Sequence, residues 1–153
     1  MKAKPMAGEL LGYRLPSDGE WEYACRAGAI TSRYYGLSEP LLVEYAWTFA
    51  NGKNRTWPVG CLKPNDWGLF DMLGNACEWT HEPFVAYFRG TERTPFLDSF
   101  NESPVLDNNS RVLRGGTFLT YAQFVRSAYR ADRQPMQRYY YYAAFRVART
   151  TPP

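Results

Sequence analysis

Apolar positions near the start of the chain take a helical period once and clearly. Ser17 is followed at the third helical position by Glu20, and Trp21, Ala24 and Cys25 then recur at i, i+3 and i+4. A serine and a glutamate so spaced form a capping box, which predicts a helix starting at Ser17, packing through its tryptophan side and stopping at Gly28. A second, short helix is predicted from Ser38, with Pro40 in its first turn and Leu41, Leu42 and Tyr45 as apolar contacts. From Ala46 to Pro64 no period survives: Asn51-Gly52, Trp57-Pro58-Val59-Gly60 and Lys63-Pro64 are turn signals. This region reads as ordered loop pinned by the buried rings of Trp47, Trp57 and Trp67. Short strands are predicted at Glu78 to Thr80, Arg111 to Gly115 and Ala143 to Arg149. No repeat or long linker divides the chain, so the pattern describes one α+β domain spanning residues 1–153.

Composition narrows the class. With 153 residues, 45% of them apolar and 17% aromatic, the chain can bury a core and is too hydrophobic to be disordered. No apolar run approaches bilayer length, so membrane insertion is not expected. The first residues carry no secretory pattern and the three cysteines, Cys25, Cys61 and Cys77, cannot all pair. Both point to reduced, mostly buried thiols and favour the cytoplasm. Charge is unevenly placed: residues 1–110 hold 10 Lys/Arg against 14 Asp/Glu, whereas residues 111–153 hold 8 Arg against Asp132 alone. Arginine without lysine suits planar, bidentate and stacked contacts.

Six segments now fall into one frame: GYRLPSDGEWEYACRAG from Gly12, RTWPVG from Arg55, KPNDWGLFDMLGNACEWT from Lys63, RVLRGGTF from Arg111, VRSAYR from Val125 and AAFRVART from Ala143. In order and spacing they resemble the formylglycine-generating-enzyme, or sulfatase-modifying-factor, domain from about residue 12 to 149. The resemblance implies a C-type-lectin-like α+β fold with short strands, two helices and long ordered loops. Relatives usually carry an opening segment of strands and a helix before the RLP motif. This chain begins almost at that motif, which leaves open either a compact variant or a homo-oligomer in which a partner edge covers the same surface.

The family's oxidase activity, as the resemblance implies, requires a cysteine pair holding copper just after the glycine doublet, and soft thiolates are what copper(I) selects. Here the stretch Thr117 to Arg130 has no cysteine, so no copper and no catalysis are expected. A structural calcium ion is the second cofactor the resemblance implies, with side chains from Asp71 and Glu78 and main-chain oxygens from Gly74 and Ala76, an oxygen-only set of the kind calcium prefers. The alternative is that Asp71 caps a turn and Glu78 pairs with an arginine.

Between the framework pieces lie two tracts that packing does not explain. Tyr139, Tyr140, Tyr141 and Tyr142 are consecutive, and on a strand neighbours alternate sides, so some of these rings must meet solvent. Tyrosine and arginine are the residues of binding hot spots and antibody-like paratopes. The region of about 117–144 also resembles, in position and framing, the variable region of diversity-generating-retroelement proteins, in which asparagine codons are mutated at adenines. Tyrosine, alanine, aspartate, threonine, phenylalanine and leucine are reachable that way, although Gln123, Met136 and Gln137 are not. The expected contact residues are Leu119, Thr120, Tyr121 and Phe124 in the first tract, and Ala131, Asp132, Arg133, Gln137, Tyr139, Tyr140, Tyr141, Tyr142 and Ala143 in the second. A protein or glycan ligand is the expected partner. Nucleic acid, which arginine interleaved with tyrosine could also bind, is the weaker alternative. Arg126, Arg130 and Arg146 read as framework, placed to pair with acidic residues earlier in the chain.

Overall fold

The computed structural model describes residues 12–86, 109–136 and 141–149. In chain order these form β1 (Tyr13–Arg14), α1 (Asp18–Arg26), α2 (Leu42–Tyr45), β2 (Cys77–Pro83), β3 (Arg111–Arg114), a 3-10 turn (Ala122–Phe124), β4 (Ala131–Arg133), β5 (Ala143–Phe145) and β6 (Ala148–Arg149). The architecture is α+β with two small sheets. One pairs β1 with β6; the other runs β4-β3-β2-β5, antiparallel except for the parallel β2–β5 edge. Among the described residues no helix is long and apolar enough to cross a membrane.

The capping box predicted at Ser17 is present in both directions. Ser17 Oγ accepts from the Glu20 N–H at 3.0 Å, and Glu20 Oε2 accepts from the Ser17 N–H at 2.8 Å. The helix stops one residue before the glycine predicted to end it: Ala27 takes the left-handed conformation at φ 46°, and Gly28 follows at φ 91°. The second helix is shorter than its sequence pattern, starting at Leu42, because the Leu42 N–H bonds the Glu39 carbonyl at 2.9 Å and closes Glu39–Leu42 as a turn. The predicted last strand is split between two sheets, since Arg146 leaves the ladder to reach Glu78.

Trp21 and Cys25 face inward as their spacing predicts and join Tyr34, Leu42, Ala46, Met72, Leu73 and Val125 in the core. Burying such side chains contributes about 1.5–3 kcal/mol each for the larger ones. Of the three loop tryptophans, Trp47 and Trp57 stack at 4.5 Å and are half-buried. Trp67 is exposed, against the expectation that it is buried, and meets Tyr23 edge-on at 4.9 Å.

The basic tail is tied to the acidic front by buried ion pairs. Arg114, with no exposed surface, donates to Asp18 and to Glu22 at 3.0 Å, and also to the Ser127 and Tyr129 carbonyls. Arg130 meets Asp18 at 2.8 Å. Each guanidinium is thus supplied with several acceptors, the condition under which a buried charge is tolerated. Arg130 and Arg146 are framework, as expected, while Arg126 is exposed.

Candidate ligand-binding site

Alternation along the strands gives the four-stranded sheet two chemically different faces. Arg114 on β3 and Glu78 on β2 turn toward α1, where Glu78 accepts from Trp21 Nε1 at 2.7 Å. On the other face, Leu113, Cys77 and Ala131 form part of a cavity of about 250 Å³, completed by Gly116, Thr117, Leu119, Thr120, Tyr129, Arg133 and Tyr142. The cavity therefore draws on β2, β3, β4, the loop after the glycine doublet and the residue leading into β5.

Five of the expected contact residues, Leu119, Thr120, Ala131, Arg133 and Tyr142, line this one cavity. Tyr121, Phe124 and Tyr141 do not line it but stand exposed around it. Tyr121 lies 4.6 Å from Phe49, Phe124 lies 5.5 Å from the lining Tyr129, and Tyr141 lies 5.3 Å from the lining Tyr142. Ala143 pairs in register with Cys77, and Asp132, in register with Val112, is exposed and does not line the cavity. Gln137, Tyr139 and Tyr140 lie outside the described residues.

None of the ten described contact residues is buried, whereas three framework residues beside or between them are: Phe118 is 2% exposed, Val125 0% and Ser127 0%. The tracts are held largely through the main chain. Phe118 N–H donates to the Asn75 carbonyl at 2.9 Å, Phe49 N–H to the Thr120 carbonyl at 3.1 Å, Ser127 N–H to the Ser32 carbonyl at 2.9 Å and Cys77 N–H to the Tyr142 carbonyl at 3.0 Å. Such bonds do not depend on which side chain the tract residue carries. Thr120 and Arg133 use their side chains as well: the Thr120 hydroxyl accepts from the Thr117 N–H at 2.9 Å, and Arg133 Nη1 donates to the Asp132 carbonyl at 2.6 Å.

Sequence reasoning missed Phe49, Cys77, Leu113 and Tyr129 as contributors. Phe49 carried no signal, being a loop residue brought in by a bond to Thr120, and the other three sit inside framework motifs.

A family model for the sulfatase-modifying factor enzyme 1-like domain matches residues 2–151. The chain belongs to this family. It is 30% identical over 140 residues to the formylglycine-generating enzyme of Mus musculus, covering 81% of this chain and 36% of that protein. To the formylglycine-generating enzyme of Streptomyces coelicolor it is 31% identical over 146 residues, covering 81% and 43%. The chain thus spans less than half the length of these curated relatives. Among solved structures, Treponema denticola variable protein 1 is similar at TM-score 0.73 and 30% identity, covering 88% of this chain and 46% of that one. PvdO from Pseudomonas aeruginosa is similar at TM-score 0.73 and 29% identity, covering 91% and 53%. The C-type-lectin-like α+β fold inferred from the six motifs is thereby established.

Membership of an enzyme family makes the donor sets decisive. Cys77 is the one thiol of the cavity, and burial pushes it up to about 12. Cys25 sits in the core against Ser127 and is likewise pushed up to about 12 by burial, while Cys61 is exposed in a loop. One buried, protonated thiol does not fit a two-thiolate copper site.

The calcium residues Asp71, Ala76 and Glu78 do share a cleft, of about 460 Å³, with Phe70, Phe145 and Arg146; Gly74 is instead packed on the Trp47 main chain. Both carboxylates already have protein donors. Asp71 Oδ2 accepts from the Gly60 N–H at 2.7 Å. Glu78 Oε2 accepts from Trp21 and from Arg146 Nε at 2.9 Å, and its Oε1 accepts from Arg146 Nη2 at 2.7 Å. A cation at Glu78 would face the guanidinium that now neutralises it, so this arrangement fits the ion-pair alternative and not a calcium cage of six to eight oxygens.

Proposed function

We propose that this domain is a non-catalytic recognition module of the diversity-generating-retroelement type, presenting a substitution-tolerant surface built from the two tracts around the cavity beneath Thr117. The carrying observation is the partition of burial. Every described residue expected to vary is at or near the surface, and the buried positions between them belong to family motifs. A scaffold bound through main-chain hydrogen bonds accepts many side chains at its surface, as antibody loops do. The likeness to Treponema denticola variable protein 1 supports the same reading.

A catalytic reading finds no support in the donor set of the cavity, and the RGG at Arg114 does not favour a nucleic-acid motif, since Arg114 on β3 is buried against α1. The test is at the locus. A neighbouring reverse transcriptase gene and a near-identical template repeat, with adenine-rich codons opposite residues 119–143, are expected. A repeat whose differences fall elsewhere, or no repeat at all, would refute the proposal. Formylglycine formation by the purified protein with added copper would refute its non-catalytic part.

A further inference from the structure

The two edges of the four-stranded sheet are guarded differently. Each is a strand of three residues, so length does not distinguish them. At one edge β4 carries Asp132 and Arg133, with Pro135 just beyond. Charges and proline are how natural sheets keep a further strand off an edge. At the other edge β5 reads Ala-Ala-Phe and has neither. The Cys77 N–H bonds the Tyr142 carbonyl at 3.0 Å, and Cys77 stands in register with Ala143. The main-chain groups of Tyr142 and Ala144 therefore face β2, and those of Ala143 and Phe145 point outward. Among the described residues, nothing pairs with that outer side of β5.

Beside this edge lies the cleft of about 460 Å³ that also holds Asp71 and Glu78, and its walls include Val59, Phe70, Ala144 and Phe145. Val59, Phe70 and Phe145 are large apolar residues left exposed there. The two carboxylates of the cleft differ. Glu78 is neutralised by Arg146, whereas Asp71, among the described residues, accepts only from the Gly60 N–H and through Oδ2 alone. The cleft thus combines an apolar wall with one open carboxylate oxygen. We propose that β5 is a docking edge that takes an extended segment of a partner protein as a fifth strand, seating an apolar side chain in the cleft and a lysine or arginine toward Asp71. Successive residues of a strand turn to opposite faces, so the apolar and basic residues of the incoming segment stand two apart. Main-chain bonds along β5 supply affinity, and the alternate side chains supply specificity. The interface uses the β5 main chain and side chains outside the two tracts, so it stands whether or not the tracts vary.

The probe is the synthetic peptide acetyl-Thr-Leu-Thr-Lys-Thr-amide, read by amide hydrogen exchange of the isotope-labelled protein. In the free protein the Ala143 and Phe145 N–H groups should exchange fast and the Ala144 N–H slowly. Saturating probe should slow Ala143 and Phe145 at least about tenfold, the worth of one hydrogen bond. Slow exchange at these two groups before any probe is added would overturn the open edge. The same peptide N-methylated at its three central residues should bind at least about tenfold more weakly; equal binding would overturn strand pairing. Replacing the probe's lysine by glutamate should weaken binding about two- to fivefold, as for an exposed ion pair. Asp71→Asn, which keeps an acceptor for the Gly60 N–H, should remove that difference, and no difference in the parent would overturn the basic assignment. Ala143→Pro deletes one outward donor and no bond to β2, and should abolish protection at Phe145. Its melting temperature verifies the fold, and the methylated probe reads the same contact without altering the protein. A doubled mass in the absence of probe would assign the edge to a second copy of this chain and overturn the peptide partner. None of these outcomes touches the template comparison at the locus, which tests the tracts.

Discussion

Glu78 decides between two accounts of the same carboxylate, and a double-mutant cycle with Arg146 separates them. Glu78 is 7% exposed and bonded by Trp21 and both ends of the Arg146 fork, while the Arg146 side chain keeps 29% exposure. Removing one partner of a fully buried pair costs about 3–5 kcal/mol. The Arg146 head can turn to water when Glu78 becomes glutamine, so Glu78→Gln should cost about 2–3 kcal/mol, at or below the low end of that range. Arg146→Met keeps the stem but leaves a buried carboxylate with only the Trp21 N–H, and should cost about 3 kcal/mol or more. The double variant should be milder than the sum, giving a coupling of about 1–2 kcal/mol by urea unfolding. Excess EDTA and added calcium should leave the melting temperature of the parent unchanged. A coupling near zero, together with a calcium-dependent melting temperature, would refute the ion-pair account.

Other outcomes follow from single features. Ser17→Ala removes one half of the capping box and should cost about 1 kcal/mol, lowering the melting temperature by roughly 2–4 °C in a calorimeter. Gly74→Ala should prevent folding, read by loss of near-ultraviolet circular dichroism, because a Cβ there would lie 2.3 Å from the Trp47 carbonyl oxygen at φ +73°. Of the three thiols, iodoacetamide near neutral pH should modify Cys61 in the native protein and all three after unfolding, counted by mass spectrometry. The raised Cys25 and Cys77 thiols favour the fold fully below their ordinary value of 9.0, and that contribution should fade as pH rises toward about 12.

Local chemistry was readable in the sequence and long-range chemistry was not. The capping box at Ser17 and Glu20 and the inward face of Trp21 and Cys25 are fixed by residues within one helix, and they appear where the pattern places them. The end of that helix, the start of α2 and the split of the last strand depend on Ala27, Glu39 and Arg146 making particular bonds, which no period reports. Trp67 was expected inside because tryptophan is large and apolar, yet its partner Tyr23 lies on the outer side of α1, and a pair of rings at the surface is enough to hold it. Part of the candidate site was legible, because its tracts do not fit a packing pattern and stand between segments that do. Its floor was hidden in framework motifs: Cys77, Leu113 and Tyr129 look like structure in the sequence and act as lining in the fold.

The central claim is that the tracts carry recognition and not stability. A library replacing Tyr121, Phe124, Ala131, Asp132, Arg133, Tyr141 and Tyr142 together, displayed and sorted for folded protein, tests it most directly. Most members should remain folded with melting temperatures within a few degrees of the parent, since five of the seven positions are exposed, none is buried, and surface positions usually change stability by about 0.5 kcal/mol or less each, and selection against arbitrary protein targets should then enrich binders. Collapse of folding across the library would contradict the account and assign those rings to the core.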